Sequence, residues 1–240
     1  MIHLKYLVTG TGRSGTVYLA KLLSSVGISC GHESIFDFAG INIALQRLRQ
    51  DIPIGLSWVS LRDGYGWFDL WALQADSSYM AAPYLEHHIL NDTKIIHVVR
   101  NPLLVVSSFL LDVTHFQENP KVAAWDAFIE FHLPEIAKLK TPIEKAIYYY
   151  IKWNLMVEKQ SNFLYRVEDN VNLLFNWLDI HSRATYFNET HANTFCKRTR
   201  NLTLEEIPEG SLKQDFLLMF QKYGYPVEDV PFKPPQKILV

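Results

Sequence analysis

Residues Tyr6–Leu23 read YLVTGTGRSGTVYLAKLL, and no other stretch of the chain restricts its fold as much. The run Leu4–Thr9 has the make-up of a short buried strand. Residues Thr16–Val26 then place Leu19, Leu22, Leu23 and Val26 at helical spacing, with Gly27 as the stop. Between them Gly10, Gly12 and Gly15 let the backbone turn tightly. A strand that feeds through such a turn straight into a helix aims the helix's first free N–H groups and the positive end of its dipole at one spot. That spot suits an anion, most naturally a phosphate or sulfate. The plain alternative is a βα connection that binds nothing.

The remaining pattern alternates strands with helices. Ile28–Gly31, Lys94–Val99 (KIIHVV) and Ser161–Val167 read as strands. Val122–His132, ended by Pro134, reads as a helix. A second starts after Pro142 with Ile143, Ala146, Ile147, Tyr150 and Val157 at helical spacing. Ser211 and Gln214 have capping-box spacing ahead of a helix over Leu212–Tyr223, which Gly224 closes. This order predicts an α/β fold in a single domain spanning 1–240, a parallel β-sheet flanked by helices, with an extended proline-rich tail over 226–240.

Composition removes several function classes. A chain of 240 residues, 48% apolar, can bury a core without disulfides or metal. The net charge is −2, and only Lys197, Arg198 and Arg200 cluster as cations, too few for nucleic-acid binding by counterion release. The longest near-apolar stretch, Leu103–Leu111, is too short for a membrane span. Strand-like residues from Leu4 leave no room for a signal peptide, and Cys30 and Cys196 have no metal or redox spacing. A cytoplasmic protein is the expectation. The histidines form no metal site either: His87 and His88 are adjacent and would point apart on a helix, and His97 alternates within a buried strand.

What the glycine turn lacks is equally informative. A nucleotide triphosphatase wants Gly-x-x-x-x-Gly-Lys-Ser/Thr, whose hydroxyl holds Mg²⁺. Gly10 and Gly15 keep that spacing, but Thr16 stands in place of the lysine, Val17 in place of the hydroxyl, and the cation is Arg13. This favours a phosphate-type ligand bound without a metal. A second constellation lies in IIHVVRNPLLVVSSFL, Ile95–Leu110. Arg100 emerges at the carboxyl end of a strand, where ligands of open α/β sheets sit, and Ser108 can return there along the next helix. A surface arginine and a capping serine are the bland reading.

Together these segments resemble the sulfotransferases that use 3′-phosphoadenosine-5′-phosphosulfate (PAPS). Thr11–Leu19 is similar to the family's 5′-phosphosulfate loop in its Arg-Ser-Gly-Thr form, and Arg100-Asn-Pro with Ser108 to its 3′-phosphate motif. Cys30-Gly-His-Glu33 resembles the Gly-x-Glu segment of the glutamate-base branch, seen in tyrosylprotein and several bacterial enzymes. Tyr165-Arg-Val-Glu-Asp169 resembles a later strand end. The resemblance implies a P-loop-like sheet of the kind seen in nucleoside triphosphate hydrolases. It also implies that Gly12, Arg13, Ser14, Gly15, Thr16 and Val17 hold the 5′-phosphosulfate, with Arg13 neutralising charge on the bridging oxygen as the sulfuryl group leaves. Arg100 and Ser108 would bind the 3′-phosphate, with Arg198 and Arg200 closing over it. The co-substrate would be PAPS, the product the desulfated nucleotide PAP, and the acceptor a hydroxyl on a small molecule or glycan.

The acceptor hydroxyl needs a base. Glu33 is the first candidate and His32 the second, as an imidazole half-protonated near neutral pH. The lysine that many glutamate-base relatives carry ahead of the Arg-x-Pro strand is missing from Asp76–Pro83, where Ser77 or Ser78 could help instead. Trp58, Tyr65, Trp67, Phe68, Trp71, Tyr79 and Tyr84 could stack on an acceptor or simply pack a core, and Asn154 could face it or bond locally. Two rivals stand beside this reading. One is a Mg-ATP phosphotransferase with Arg13 in the lysine's role, and the other is a nucleotide-binding module without catalysis.

Overall fold

A computed structural model describes residues 2–53, 73–180 and 199–231. Among them run β1 (Tyr6–Thr9), α1 (Thr16–Ser25), β2 (Cys30–His32), α2 (Ile41–Arg49), β3 (Ala75–Ser77) and β4 (Lys94–Val99). There follow α3 (Pro102–Ser107), α4 (Ala123–His132), α5 (Pro142–Glu158), β5 (Phe163–Arg166), α6 (Val171–Trp177) and α7 (Ser211–Lys222). The fold is α/β: the strands form one five-stranded, all-parallel sheet in the order β2-β3-β1-β4-β5, flanked by helices. None of the described helices is long and apolar enough to cross a membrane.

Contacts divide the chain into two compact units. The first comprises the described parts of Met1–Gly10, Ser14–Val99 and Met156–Phe187; the second, those of Thr11–Arg13, Arg100–Leu155 and Asn188–Val240.

The first unit is the sheet with its covering helices. All four residues of β1 are buried, as are Ile95–Val99 of β4, the continuous apolar habit of central parallel strands. Leu19, Leu22 and Leu23 of α1 pack with Tyr6, Val8, Ile96, Val98 and Tyr165 of the sheet and with Leu174 and Phe175 of α6. The connections leaving β1 and β4 run to opposite sides, toward β2 and β5, so a topological switch point lies outside the carboxyl ends of these neighbouring strands.

The second unit is held by aromatic side chains. Phe109 stacks on Tyr149 of α5 at 4.9 Å, Tyr149 meets Trp153 at 5.1 Å, and Tyr150 meets Phe216 of α7 edge-on at 5.7 Å. Asn101 caps α3 by accepting from the N–H groups of Leu103 and Leu104, and Pro102 occupies the first helical position.

Several local expectations change. Strand β2 lies one to two residues later than Ile28–Gly31, because Gly27 in a left-handed conformation (φ 87°) still belongs to the exit of α1. The capping box at Ser211 does not form: Gly210, at φ 142°, is the N-cap, and Ser211 is already helical. A capping box does form at Thr203 with Glu206. His87 and His88 do not sit on an α-helix pointing apart; His87 caps a short 3₁₀ turn and the two rings stack at 4.3 Å. Strand β3 escapes a periodicity test, being three residues long with a buried carboxylate at its centre.

Candidate functional site

Two glycines of the βα turn, Gly10 and Gly15, have a physical reason. A Cβ on Gly10 would lie 2.1 Å from the Val98 carbonyl oxygen. Gly15 has φ 106°, and its Cβ would meet Val167 at 2.8 Å. Gly15 is the N-cap of α1, so the N–H groups of Thr16 and Val17 open the helix with no intrahelical acceptor behind them. Arg13 itself is left-handed, at φ 69°.

In the first unit, the start of α1 faces the end of β2. Thr16 Oγ1 lies 3.3 Å from His32 Nε2, which is 3.7 Å from Glu33 Oε1. Ser77, at the end of β3, donates to the Thr16 carbonyl at 2.8 Å. Ser78 donates to the Phe36 carbonyl and accepts from Met80, so both serines offered as helpers are already engaged. His32 is not half-protonated near neutrality: burial pushes its pKa down to about 4, helped by the charge of Lys21, and Nδ1 is buried without a hydrogen bond. Burial pushes Glu33 up to about 8, with Asp76 and Asp37 adding to the shift.

Asp76 organises this region, and no motif announces it. Its carboxylate is buried and accepts from the N–H groups of Ser34, Ile35 and Phe36 at 3.0–3.1 Å, fixing the turn that carries Glu33. A Cβ on Gly31 would lie 2.5 Å from Ser34 Oγ and 3.0 Å from Asp76 Oδ1. The glycine of the Gly-x-Glu segment thus gives that turn its room.

In the second unit, Arg13, Arg100 and Ser108 converge. Arg13 Nε donates to Ser108 Oγ at 2.9 Å, and Arg100 Nη1 donates to the Arg13 carbonyl at 3.4 Å. Ser108 in turn donates to Asp112 Oδ2 at 2.7 Å. Ser108 does not continue α3 but opens a π-helical turn, Ser108–Asp112. The Gly12 N–H donates to the Tyr149 hydroxyl at 2.7 Å, and the Tyr150 hydroxyl donates to the Arg100 carbonyl at 3.2 Å. Asp112 and the two tyrosines are partners that sequence reasoning missed: Tyr149 lies 137 residues from Gly12, Tyr150 lies 50 from Arg100, and Asp112 closes an unannounced π turn four residues after Ser108.

Arg200 forms a bidentate ion pair with Glu206, at 2.6 and 2.8 Å, on an exposed loop. Arg198, and Trp58, Tyr65, Trp67, Phe68 and Trp71 of the aromatic cluster, lie outside the described residues. Tyr79 is buried and Tyr84 stacks with Phe36. Asn154 bonds locally to the Tyr150 carbonyl, and Arg166 and Asp169 pair with each other after β5.

Chemically, the first unit offers a helix N-terminus beside a carboxyl poised near pH 8. The second offers two guanidinium groups, which can grip a phosphate bidentately. No protein-family model matches the chain, and no curated protein matches it.

Proposed function

We propose that the chain is a sulfotransferase that moves the sulfuryl group of PAPS to a hydroxyl of a small-molecule or glycan acceptor. The observation that carries this reading is the convergence of Arg100 and Ser108 on Arg13, a residue of a glycine-rich sequence that has neither the lysine nor the metal-holding hydroxyl of a nucleotide triphosphatase. Arg100 and Ser108 would take the 3′-phosphate that separates PAPS from ATP. The first N–H groups of α1, at Thr16 and Val17, would take the 5′-phosphosulfate. A P-loop-like sheet is supported by the strand order, with the glycine turn leaving the central strand β1 at a switch point.

Sulfuryl transfer is an in-line displacement, and here it would be promoted by position and fixed charge, as in phosphoryl transfer. The acceptor oxygen attacks sulfur, the bond from sulfur to the bridging oxygen breaks, and PAP leaves with the electron pair. Arg13 neutralises the charge that builds on that oxygen. Glu33 takes the acceptor's proton once ionised, which its pKa of about 8 confines to alkaline solution.

Calorimetric titration with PAP, ADP and ATP, with and without Mg²⁺, tests this. Metal-independent binding of PAP, well ahead of ADP, is expected. Binding of ATP only with Mg²⁺ would instead favour a phosphotransferase. PAP binding without any sulfuryl turnover would favour a nucleotide-binding module.

A further inference from the structure

Helix α3 ends in an unusual way. Its last residue is Ser107, and Ser108 then opens the π turn, in which the Val113 N–H donates to the Ser108 carbonyl at 3.2 Å. Such turns are rare and recur at functional sites, so one that persists has neighbours that hold it. Its exit is held from α4. The chain leaves through Thr114, Phe116 and Glu118, left-handed at φ 60°, 59° and 55°, and Asp126 accepts from the Phe116 N–H at 2.9 Å. Gln117 donates to the Leu110 carbonyl, and Asn119 to the Val113 carbonyl and the Thr114 hydroxyl.

The entrance is held by a segment 95 residues further on. The Leu202 N–H donates to Ser107 Oγ at 2.9 Å, and Ser107, Ser108 and Leu202 are all buried. In that dry setting no solvent replaces a lost partner, so the bond fixes both chains. Leu202 sits in a loop closed on itself. Glu206 takes the Arg200 guanidinium at one end and the Thr203 N–H, at 2.9 Å, in the middle.

The residues beyond α7 tie this loop down. The Val230 carbonyl accepts from Asn201 Nδ2, and Asp229 Oδ1 accepts from the Leu204 N–H, both at 2.7 Å. Asn201 and Leu204 lie on either side of Leu202. The two bonds therefore pin the strap ahead of and behind the N–H that reaches Ser107. Every bond in this series lies within the second unit.

Its far end is the guanidinium cluster. Ser108 follows Ser107 directly, accepts from Arg13 Nε at 2.9 Å and donates to Asp112 Oδ2 at 2.7 Å. A serine hydroxyl is one rotatable bond from its backbone, so it goes where that backbone is placed. Ser107 is fully buried with its oxygen engaged by Leu202, so it can act on a ligand only through its neighbour.

We propose that Ser107, held by a strap that Asp229 and Val230 tie down, is a positioning residue for the donor's 3′-phosphate, setting Ser108 against Arg13 without touching the nucleotide. The assignment rests on the sulfotransferase reading. It gives the chain's last described residues a part in donor selection, although Asp229 is exposed and reaches the cluster through the Leu204 N–H alone.

The test compares PAP with ADP, which lacks the 3′-phosphate, by calorimetric titration of the unaltered protein, Ser107→Ala, Asp229→Ala and Asp229→Asn. Ser107→Ala is expected to lower PAP affinity about three- to tenfold and ADP affinity less than about twofold, within the worth of the Ser108 hydrogen bond it positions. Asp229→Ala should lose PAP affinity about two- to fivefold, while Asp229→Asn, which keeps an oxygen for the Leu204 N–H, stays near the original value. In a Ser108→Ala background the Ser107→Ala change should cost nothing further, because the group it positions is gone. The proposal is overturned if Ser107→Ala or Asp229→Ala keeps the original PAP affinity. A merely structural role would lower PAP and ADP affinity together, or add in full to Ser108→Ala, and either result overturns it as well. Should Ser107→Ala fail to fold, the two Asp229 variants decide. An unaltered protein that binds PAP no better than ADP overturns the donor reading itself, and this assignment with it.

Discussion

The glycine turn after β1 and the stretch from Arg100 to Asp126 reach precision by opposite means. The turn is shaped by backbone: Gly10 and Gly15 bring main chain against Val98 and Val167 at distances that exclude a Cβ. The later stretch is shaped by side chains: Asn101 starts its helix, Ser108 links Arg13 to Asp112, and Asp126 clamps a left-handed loop. Backbone solutions tolerate almost no substitution at the contact itself. Side-chain solutions spread the work, so each part can be removed at moderate cost.

That contrast can be broken at graded strength. Gly10→Ala should show the largest effect, a loss of about 4 kcal/mol or more in urea unfolding, because a methyl group cannot coexist with the Val98 carbonyl. Gly27→Ala is its control: its Cβ meets nothing within 4 Å, and the left-handed φ of 87° alone should cost about 1 kcal/mol. A Gly10→Ala protein as stable as Gly27→Ala would dissolve the contrast. In the same backbone-shaped region, Glu33→Gln should remove any rise of turnover through pH 8. A base works only when ionised, so the unaltered rate should climb as pH passes about 8 and level off above it.

On the side-chain side, Arg100→Ala should weaken PAP binding by about 1.5–3 kcal/mol, the range for a charge-assisted hydrogen bond, as read by calorimetry. Ser108→Ala removes a neutral hydroxyl between Arg13 and Asp112 and should cost about 0.5–1.5 kcal/mol in the same titration. Arg200→Ala should have the smallest effect of all, below that of Ser108→Ala. Its guanidinium must give up a bidentate bond to Glu206 before it can reach a phosphate.

The same division explains what could be read from the residues alone. Strand β4 and helix α1 are legible because their apolar spacing states both element and buried face, and Lys94–Val99 falls where the spacing predicts. The glycine turn is legible because φ > 0 and close approach leave a residue-type signature. Asp76, Tyr149 and Asp126 leave none. Each is an ordinary residue whose role depends on a partner 40, 137 or 10 positions away or more, brought near only by the folded chain. The half-protonated imidazole expected for His32 fails for a related reason: a side chain's burial is set by what packs around it, not by its neighbours in sequence.

Asp76 carries a consequence for how such a protein can change over generations. One carboxylate folds the turn over Ser34–Phe36 and also raises the proton affinity of Glu33. Under the proposed function, working pH and structural integrity would therefore be written into the same atom group. A lineage adapting to a more acidic or more alkaline milieu could not retune Glu33 through Asp76 without loosening the loop that presents it. Two other routes remain: the burial that contributes most to the shift, and Asp37, which acts on Glu33 by charge while pairing with Arg47.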